Sequence, residues 1–553
     1  MMRQGWRWIV FCVAGMVFAA SPSLCRQEPT SPTPLAAASP NTPTPKTNEK
    51  PVALTPLDEA ERLCRAGKFN EAIERYNAVI TSGTNTAAAY AGLARAYLKL
   101  KKTNDAYLAA QKAVEKDGSL ATTHSALGEV YFRQGKLHEA QNEFLTALKS
   151  GQADARTYLD LARFYRATYD FKKAKVAIDK AHSLDPNDPD IGAAWVETRP
   201  LSEQVKALED NIASESKYYS RAEKARFKQR VSLLTDEIEH PERTCGMTNR
   251  PEGSEMQLVP VGKDFIGVEI HVNGVKSRLV LSTVSSGIVI SGQVANEAGV
   301  EPIARADMDA LGEQNPPEVY IGFARSLKIA DLEFQNCYVT VIERATPHSF
   351  YDQVDGLIAA GFFSKYLVDA DIRNQKLTLG PLPSRPAAED PDSVAMDSSD
   401  SDAENFHDRY TAPEMSEWTQ MYSFGNAILV PTQINSSPPA LFEVATSSKY
   451  NVLSPEFARE WAPLKPDEQS ARLEGINGKV STESSGKVKL ALADLHFKAI
   501  RVISFDDARS SGSEETEIAG YLGFDLLRNL HLVIDYRDGL IDFIFAPRFP
   551  GNP

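Results

Sequence analysis

Hydrophobic positions along the chain change period part-way. From residue 57 they recur with helical spacing, and the pattern itself repeats: Ala72, Ala106, Ala140 and Ala174 are each 34 residues apart. Helix-turn markers precede them at one fixed offset, at Gly67, Lys101, Gly135 and Tyr169. In the second to fourth units Tyr90, His124 and Tyr158 fall early in a first helix. Leu93, Leu127 and Leu161 follow, then Tyr97, Tyr131 and Tyr165. Ala113, Ala147 and Ala181 align in the second helix, and Pro186 closes the fourth unit. Small residues let paired helices approach closely, and aromatics fill the gap to the next pair. Four units suffice to bury a continuous core. The spacing predicts helix pairs over 57–188, with a degenerate first unit carrying Pro56 in its first helix. Val205, Leu208 and Ile212, then Val231, Leu234 and Ile238, continue a helical stripe and predict a helical connector over 189–250.

Beyond Pro251 the period falls to that of strands. Phe265–Val272 and Arg278–Leu281 alternate or run apolar, and Asn273-Gly274 between them is a strong hairpin signal. Further strand-like runs at Ser326–Ile329, Tyr338–Ile342 and Lys376–Leu379 predict an all-β unit over 253–382. A second unit with the same order of features spans 417–548. Between the two, Glu389, Asp390, Asp392, Asp397, Asp400, Asp402, Glu404 and Asp408 lie in a stretch with no Lys or Arg. Such a segment cannot bury enough apolar surface to order itself, so 383–416 reads as an acidic disordered linker. Asp397–Asp402 lacks the turn Gly and closing Glu of a calcium loop.

The amino terminus has the three-part layout of an export signal. Arg3 and Arg7 precede an apolar run from Ile9 to Ala20, and small residues follow. The run is short for a membrane span, so a signal over 1–20 is expected, with an uncleaved anchor as the alternative. Pro22 sits where a lipobox needs an aliphatic residue, so lipid anchoring at Cys25 is not expected. The Pro-, Thr- and Ser-rich stretch over 21–56 is a tether, because proline removes donors and fixes φ. No second long apolar segment follows, so no integral span is expected after signal cleavage, and the location is periplasmic or extracellular. Over 553 residues the formal charge is −14, which argues against nucleic acid as a partner. Four cysteines beyond the signal are too few for a disulfide framework. Cys245 and Cys337 can bridge in an oxidising compartment or remain buried thiols. Without CxxC, HExxH or zinc-like His spacing, no metal or cofactor is expected.

The 34-residue period and its small/aromatic pattern resemble the tetratricopeptide repeat. By that family's frame Arg95, Glu129 and Arg163 line a concave groove, as do Leu98, Phe132 and Arg166. The groove leans basic. Capture of an acidic peptide or terminal carboxylate competes there with a solvated face laced with charge pairs.

The two β units resemble retropepsin-like aspartic proteases, present twice. Each has an apolar strand running into a small polar loop and a second strand, at Leu279–Ser291 and Phe442–Ser454. Each has a matching end, at Asp355–Phe363 with Val368–Asp371, and at Ala519–Leu527 with Val533–Tyr536. The fold class is therefore multidomain: an all-α solenoid followed by two all-β retropepsin-like lobes. The resemblance implies one carboxylate per lobe, two Asp sharing a proton to activate water. Ser282 and Ala445 stand at those positions. Thr283 and Thr446 keep the motif's threonines, and Val284 and Ser447 replace its glycines. Neither Ser nor Ala titrates usefully. Asp355, Asp369, Asp371, Asp525 and Asp535 fall outside the loop and read as capping or surface residues. His271 and His348 carry no positional signature of a base for Ser282. The favoured expectation is an exported protein-binding scaffold, its repeats and its degenerate lobes holding protein or extended peptide without cleaving it. An aspartic endopeptidase with unconventional acids and a structural envelope-associated protein are the alternatives.

Overall fold

The structure, a computed structural model, describes residues 55–545 apart from 215–217, 263, 307–317, 345–352, 387–407, 426, 463, 467–472, 476–477, 481–482 and 506–515. The segments expected to be a signal and a tether, to residue 54, most of the acidic stretch and His348 lie outside the described residues.

Four helix pairs come first: α1 (Pro56–Arg65) with α2 (Phe69–Ser82), α3 (Thr86–Lys99) with α4 (Thr103–Lys116), α5 (Ala121–Arg133) with α6 (Leu137–Lys149), and α7 (Ala155–Ala167) with α8 (Phe171–Leu184). Pro56 does not interrupt a helix. It occupies the first turn of α1, where its missing N–H costs nothing, behind a capping box between Thr55 and Asp58. The turn markers share one backbone state: Gly67, Lys101, Gly135 and Tyr169 all have φ between 57° and 73°. In each turn the next amide reaches back to the helix, from Lys68 to Leu63, Lys102 to Tyr97, Lys136 to Tyr131 and Asp170 to Tyr165. Ala72, Ala106, Ala140, Ala113, Ala147 and Ala181 are completely buried, which is the close helix approach their small size permits.

The connector is three helices, α9 (Pro189–Val196), α10 (Leu201–Ala213) and α11 (Arg221–Glu239). It is not helical to residue 250. Gly246–Asn249 forms strand β1 and pairs with lobe 1, because several contacts fix its approach. Cys245 is disulfide-bonded to Cys337. Arg243 pairs with Asp236 at 2.9 Å, which also accepts from the Tyr338 hydroxyl, and the Asn336 amide donates to the Glu242 carbonyl at 2.6 Å.

Lobe 1 runs through β2 (Ser254–Gln257), β3 (Val259–Val261), β4 (Phe265–Val272), β5 (Val275–Ser282), β6 (Ile288–Ser291), α12 (Gly292–Glu297), β7 (Glu301–Ala306), β8 (Glu318–Ile329), β9 (Leu332–Arg344), β10 (Gly356–Ala359), β11 (Leu367–Asp371) and β12 (Lys376–Gly380). Lobe 2 follows with β13 (Thr419–Gln420), β14 (Tyr422–Phe424), β15 (Ala427–Ile434), β16 (Ala440–Ala445), β17 (Asn451–Leu453), α13 (Pro455–Trp461), β18 (Lys465–Pro466), β19 (Leu473–Gly475), β20 (Gly478–Val480), β21 (Glu483–Leu492), β22 (Leu495–Ser504), β23 (Gly520–Gly523), α14 (Phe524–Leu527), β24 (Leu530–Asp535) and β25 (Leu540–Phe545). Each lobe is a barrel-like sheet, closed by the pairing of β8 with β9 in one and of β15 with β21 in the other. Apart from the β19–β20 hairpin and α14 of lobe 2, the elements recur in the same order, down to the caps: Ser291 and Ser454 each accept from the third amide of the short helix that follows.

The two lobes share a six-stranded sheet in the order β13, β25, β24, β11, β12, β2. At its centre β11 of lobe 1 pairs antiparallel with β24 of lobe 2, Val368 opposite Ile534 and Asp371 opposite His531. One apolar core runs through both lobes. The near end of the stretch read as a disordered linker is packed: Met415 is buried, and the Tyr410 amide donates to Asp538 at 2.8 Å. Its sequence reads as polar because the acidic run dominates, yet the apolar residues after Asp408 find a place beside Leu540.

Matched glycines show how tightly the barrels close. Gly356 and Gly520 open β10 and β23, and a Cβ at either would stand 2.0 Å from a carbonyl oxygen, of Val289 or Val452. Gly520→Ala is expected to cost about 3 kcal/mol through forced strand separation, read as a lower urea midpoint at unchanged slope.

Candidate functional site

Strands β5 and β16 end in the two loops singled out in the sequence, and the fold brings them together. β5 pairs parallel with β10 and β16 parallel with β23, Ser282 opposite Ala359 and Ala445 opposite Gly523. Each loop is thereby held by the far end of its own lobe. Gly523 is required there, since a Cβ would lie 2.1 Å from the Tyr450 carbonyl.

Where the loops meet, Thr283 and Thr446 form a reciprocal clasp. The Thr446 hydroxyl donates to the Leu281 carbonyl at 2.8 Å, and the Thr283 hydroxyl donates to the Val444 carbonyl. Each hydroxyl also accepts from the other threonine's amide, at 3.0 and 3.1 Å. Each therefore bonds the partner amide and the carbonyl two residues before it, so the contact has local twofold symmetry. Both threonines are buried. In such surroundings a satisfied pair of hydroxyls is stabilising, and removing one strands two partners.

Beside the clasp the symmetry breaks. The Ser282 hydroxyl accepts from the amides of Val284 and Ser285, at 3.3 and 3.2 Å, and lies 3.0 Å from the hydroxyl of Ser447. Both serines are fully buried, as are Val284 and Ala445 within a few per cent. Beside the threonines the junction thus holds two hydroxyls, a methyl and an isopropyl group, none of which ionises near neutral pH. The Ser282–Ser447 contact was not legible in the sequence, where Ser447 figures only as a substitute for glycine.

The acids read as capping or surface residues have tasks elsewhere. The Asp355 carboxylate accepts from the Arg278 amide at 3.0 Å, and Asp371 from the Asn374 amide at 3.0 Å. Asp535 accepts from the amides of Arg537 and Asp538, with burial pushing its carboxyl up. Burial likewise raises the Asp525 carboxyl, against the pull of Lys449. Asp369 pairs with His531 across the lobe boundary. His271 is the next-to-last residue of β4, between β5 and β8, opposite Lys276 and Lys328. Among the described residues no group of His, Cys, Asp and Glu could hold a metal, and no helix is long and apolar enough to cross a membrane.

The groove residues of the repeats meet each other. Arg95 reaches Glu129 at 3.3 Å and Ser125 at 2.9 Å, and Arg163 lies 3.7 Å from Glu129 and 3.8 Å from Asp160. Asp160 is buried beneath them. Burial pushes its carboxyl up, with Glu129 adding to the shift and Arg95 opposing it. Arg166 pairs with Glu197 of the connector, and Leu98 packs in the core of the first units. Phe132 is buried, 5.2 Å from Phe424 of lobe 2. The chain also bridges the array. Arg65 pairs with Asp185 at 2.7 Å, and Asp190 takes Lys99 on one oxygen and Arg156 on the other, each at 2.7 Å.

A Tetratricopeptide repeat family model matches residues 155–188, the α7–α8 pair. The helical region carries tetratricopeptide repeats. Over 153 residues the chain is 29% identical to Superkiller complex protein 3 of Mus musculus, a match covering 27% of this chain and 10% of that protein. The chain thus spans about a tenth of the length of this curated relative. Among solved structures it is similar to a thermophilic TPR protein of Thermus thermophilus, at 20% identity and a TM-score of 0.26, over 32% of this chain and 97% of that one. It is also similar to the APC/C hetero-tetramer Cut9-Hcn1, at 15% identity and a TM-score of 0.26, over 34% and 37% of the two chains.

Two measurements test this geometry. Thr283→Val keeps shape but strands the Thr446 amide and the Val444 carbonyl, so it should cost about 3 kcal/mol in urea unfolding. The double change with Thr446→Val should cost less than the sum of the single changes, because the two hydroxyls also contact each other at 3.3 Å. His531 faces Asp369 across the lobe boundary, with Asp371 opposite it and Asp542 on β25. The hydrogen bond to Asp369 raises its pKa, against the effect of burial. A raised folded pKa means stability that is full below the ordinary histidine value and lost as pH rises through the folded one. Melting temperature should therefore fall across that window, and Asp369→Asn should flatten the fall.

Proposed function

We propose that this protein is an exported, non-catalytic scaffold. Its tetratricopeptide repeats supply the protein-binding surface, and its two β lobes are a retropepsin-like pair retained for architecture. The observation carrying this reading is the clasp itself. The threonines that hold the two loops together are present and satisfied, while Ser282 and Ala445 occupy the positions where the resemblance calls for carboxylates. Two carboxylates so close would share a proton and activate water. A buried serine hydroxyl and a methyl group cannot. The rival reading, peptide cleavage by other acids, needs a carboxylate at the junction, and the five acids considered have the partners or positions described above.

Export is supported by the basic start and apolar run of the first twenty residues. The Cys245–Cys337 bridge agrees with it, since such bonds persist in oxidising compartments. The partner is a protein, engaged through repeat surfaces that the intramolecular charge pairs leave open. Leu108 and Val176 are such positions, equivalent in the repeat frame and both well exposed on second helices of their pairs.

The purified chain, incubated with a complex peptide mixture from acidic to neutral pH, should create no new termini detectable by mass spectrometry. Cleavage that co-purifies with the chain and disappears in Thr283→Val would overturn the reading.

A further inference from the structure

The clasp separates two apolar clusters. Behind it, Val368, Ala370, Leu532 and Ile534 of the shared sheet line a small void against Thr283 and Thr446. Val284 and Ala445, the chain neighbours of the two threonines, lie in the other cluster. They join Phe424, Leu441 and Ile518 of lobe 2 in one buried cluster that also contains Phe132 and Phe164 of the repeats. The junction is therefore roofed on that side by the chain's own helices.

The contact is built from polar groups as well. A helix leaves its last carbonyls without partners, at the negative end of its dipole. Lobe 2 supplies donors to the end of α5. The Thr516 hydroxyl donates to the Phe132 carbonyl at 2.8 Å, and the Glu517 amide donates to the Arg133 carbonyl at 2.7 Å. Thr516 is fully buried. Gly135, in the left-handed turn after α5, sits so close that a Cβ would lie 3.2 Å from both the Glu517 carbonyl and Leu441. From the next unit down, the Thr103 hydroxyl donates to the Glu517 carboxylate. Glu517 leads into β23, the strand that holds Ala445. β23 itself is flanked on both sides, by β16 and β17, so the Glu517 amide ahead of it is engaged by α5 and not by a neighbouring strand.

We propose that the end of α5 is a resident intramolecular ligand of lobe 2. This face of the lobe recognises a helix C-terminus with an aromatic residue in its last turn, and an extended peptide is excluded from it while the repeats are docked. The inference stands on the docking geometry and holds whether or not the lobes are catalytic.

Hydrogen exchange on the full chain tests it. In the natural protein the Glu517 amide should be strongly protected. Thr516→Val and Phe424→Ala, both on the lobe side, should each raise its exchange about tenfold, with the amides of Thr283 and Thr446 unchanged within about twofold. An unprotected Glu517 amide in the natural protein would overturn the proposal. So would two variants that leave its exchange unchanged. If both variants accelerate the clasp amides equally, the contact belongs to one indivisible core and is not a docked ligand, which also overturns it.

Discussion

Everything in the β half depends on one pair of side chains. Thr283 and Thr446 exchange hydrogen bonds through loops that each lobe presents to the other, and each hydroxyl finds its amide and carbonyl partners on the opposite lobe. A buried, half-satisfied hydroxyl costs more than an apolar group of the same shape. The two lobes thereby form one packed unit, although a long acidic stretch separates them in the chain. The pairing of β11 with β24 extends that unit into a continuous sheet.

The same junction explains why the repeats can lie where they do. A pair of carboxylates must keep contact with water or accept a large desolvation cost. Ser282, Ser447, Val284 and Ala445 carry no charge, and the space in front of them can be dry. Phe132 and Phe164 join the cluster that fills it, and Thr516 and Glu517 cap the helix that carries Phe132. Uncharged residues at the junction and docking of the helices are two sides of one physical condition.

Charge follows a comparable logic in the groove. Arg95, Glu129 and Arg163 sit at one position of successive units, and stacking places equivalent positions side by side. Their signs alternate, so the ladder neutralises itself, with Asp160 below and Ser125 bonded to it. The basic lean seen in the sequence is largely spent within the molecule. Arg156 and Lys99 meet Asp190 in the same way, across a distance along the chain that no local pattern reports.

The helical units were legible because helix pairs are local objects. A 34-residue period, small residues at close approaches and turn markers with left-handed backbone all act within a few dozen residues. The strands of both lobes, the matched loops and the absence of carboxylates were legible for the same reason. Long-range facts were not. That Ser447 would face Ser282, that Phe132 would leave the groove to pack on Phe424, and that Gly246–Asn249 would leave the connector to join β9 each depend on which surfaces meet. Residue type and spacing determined the elements and the residue types that stand in the two loops. Only tertiary packing decided their partners, because a hydrogen bond or an apolar contact between distant segments is specified by the fit of whole surfaces and leaves no periodic trace in the chain.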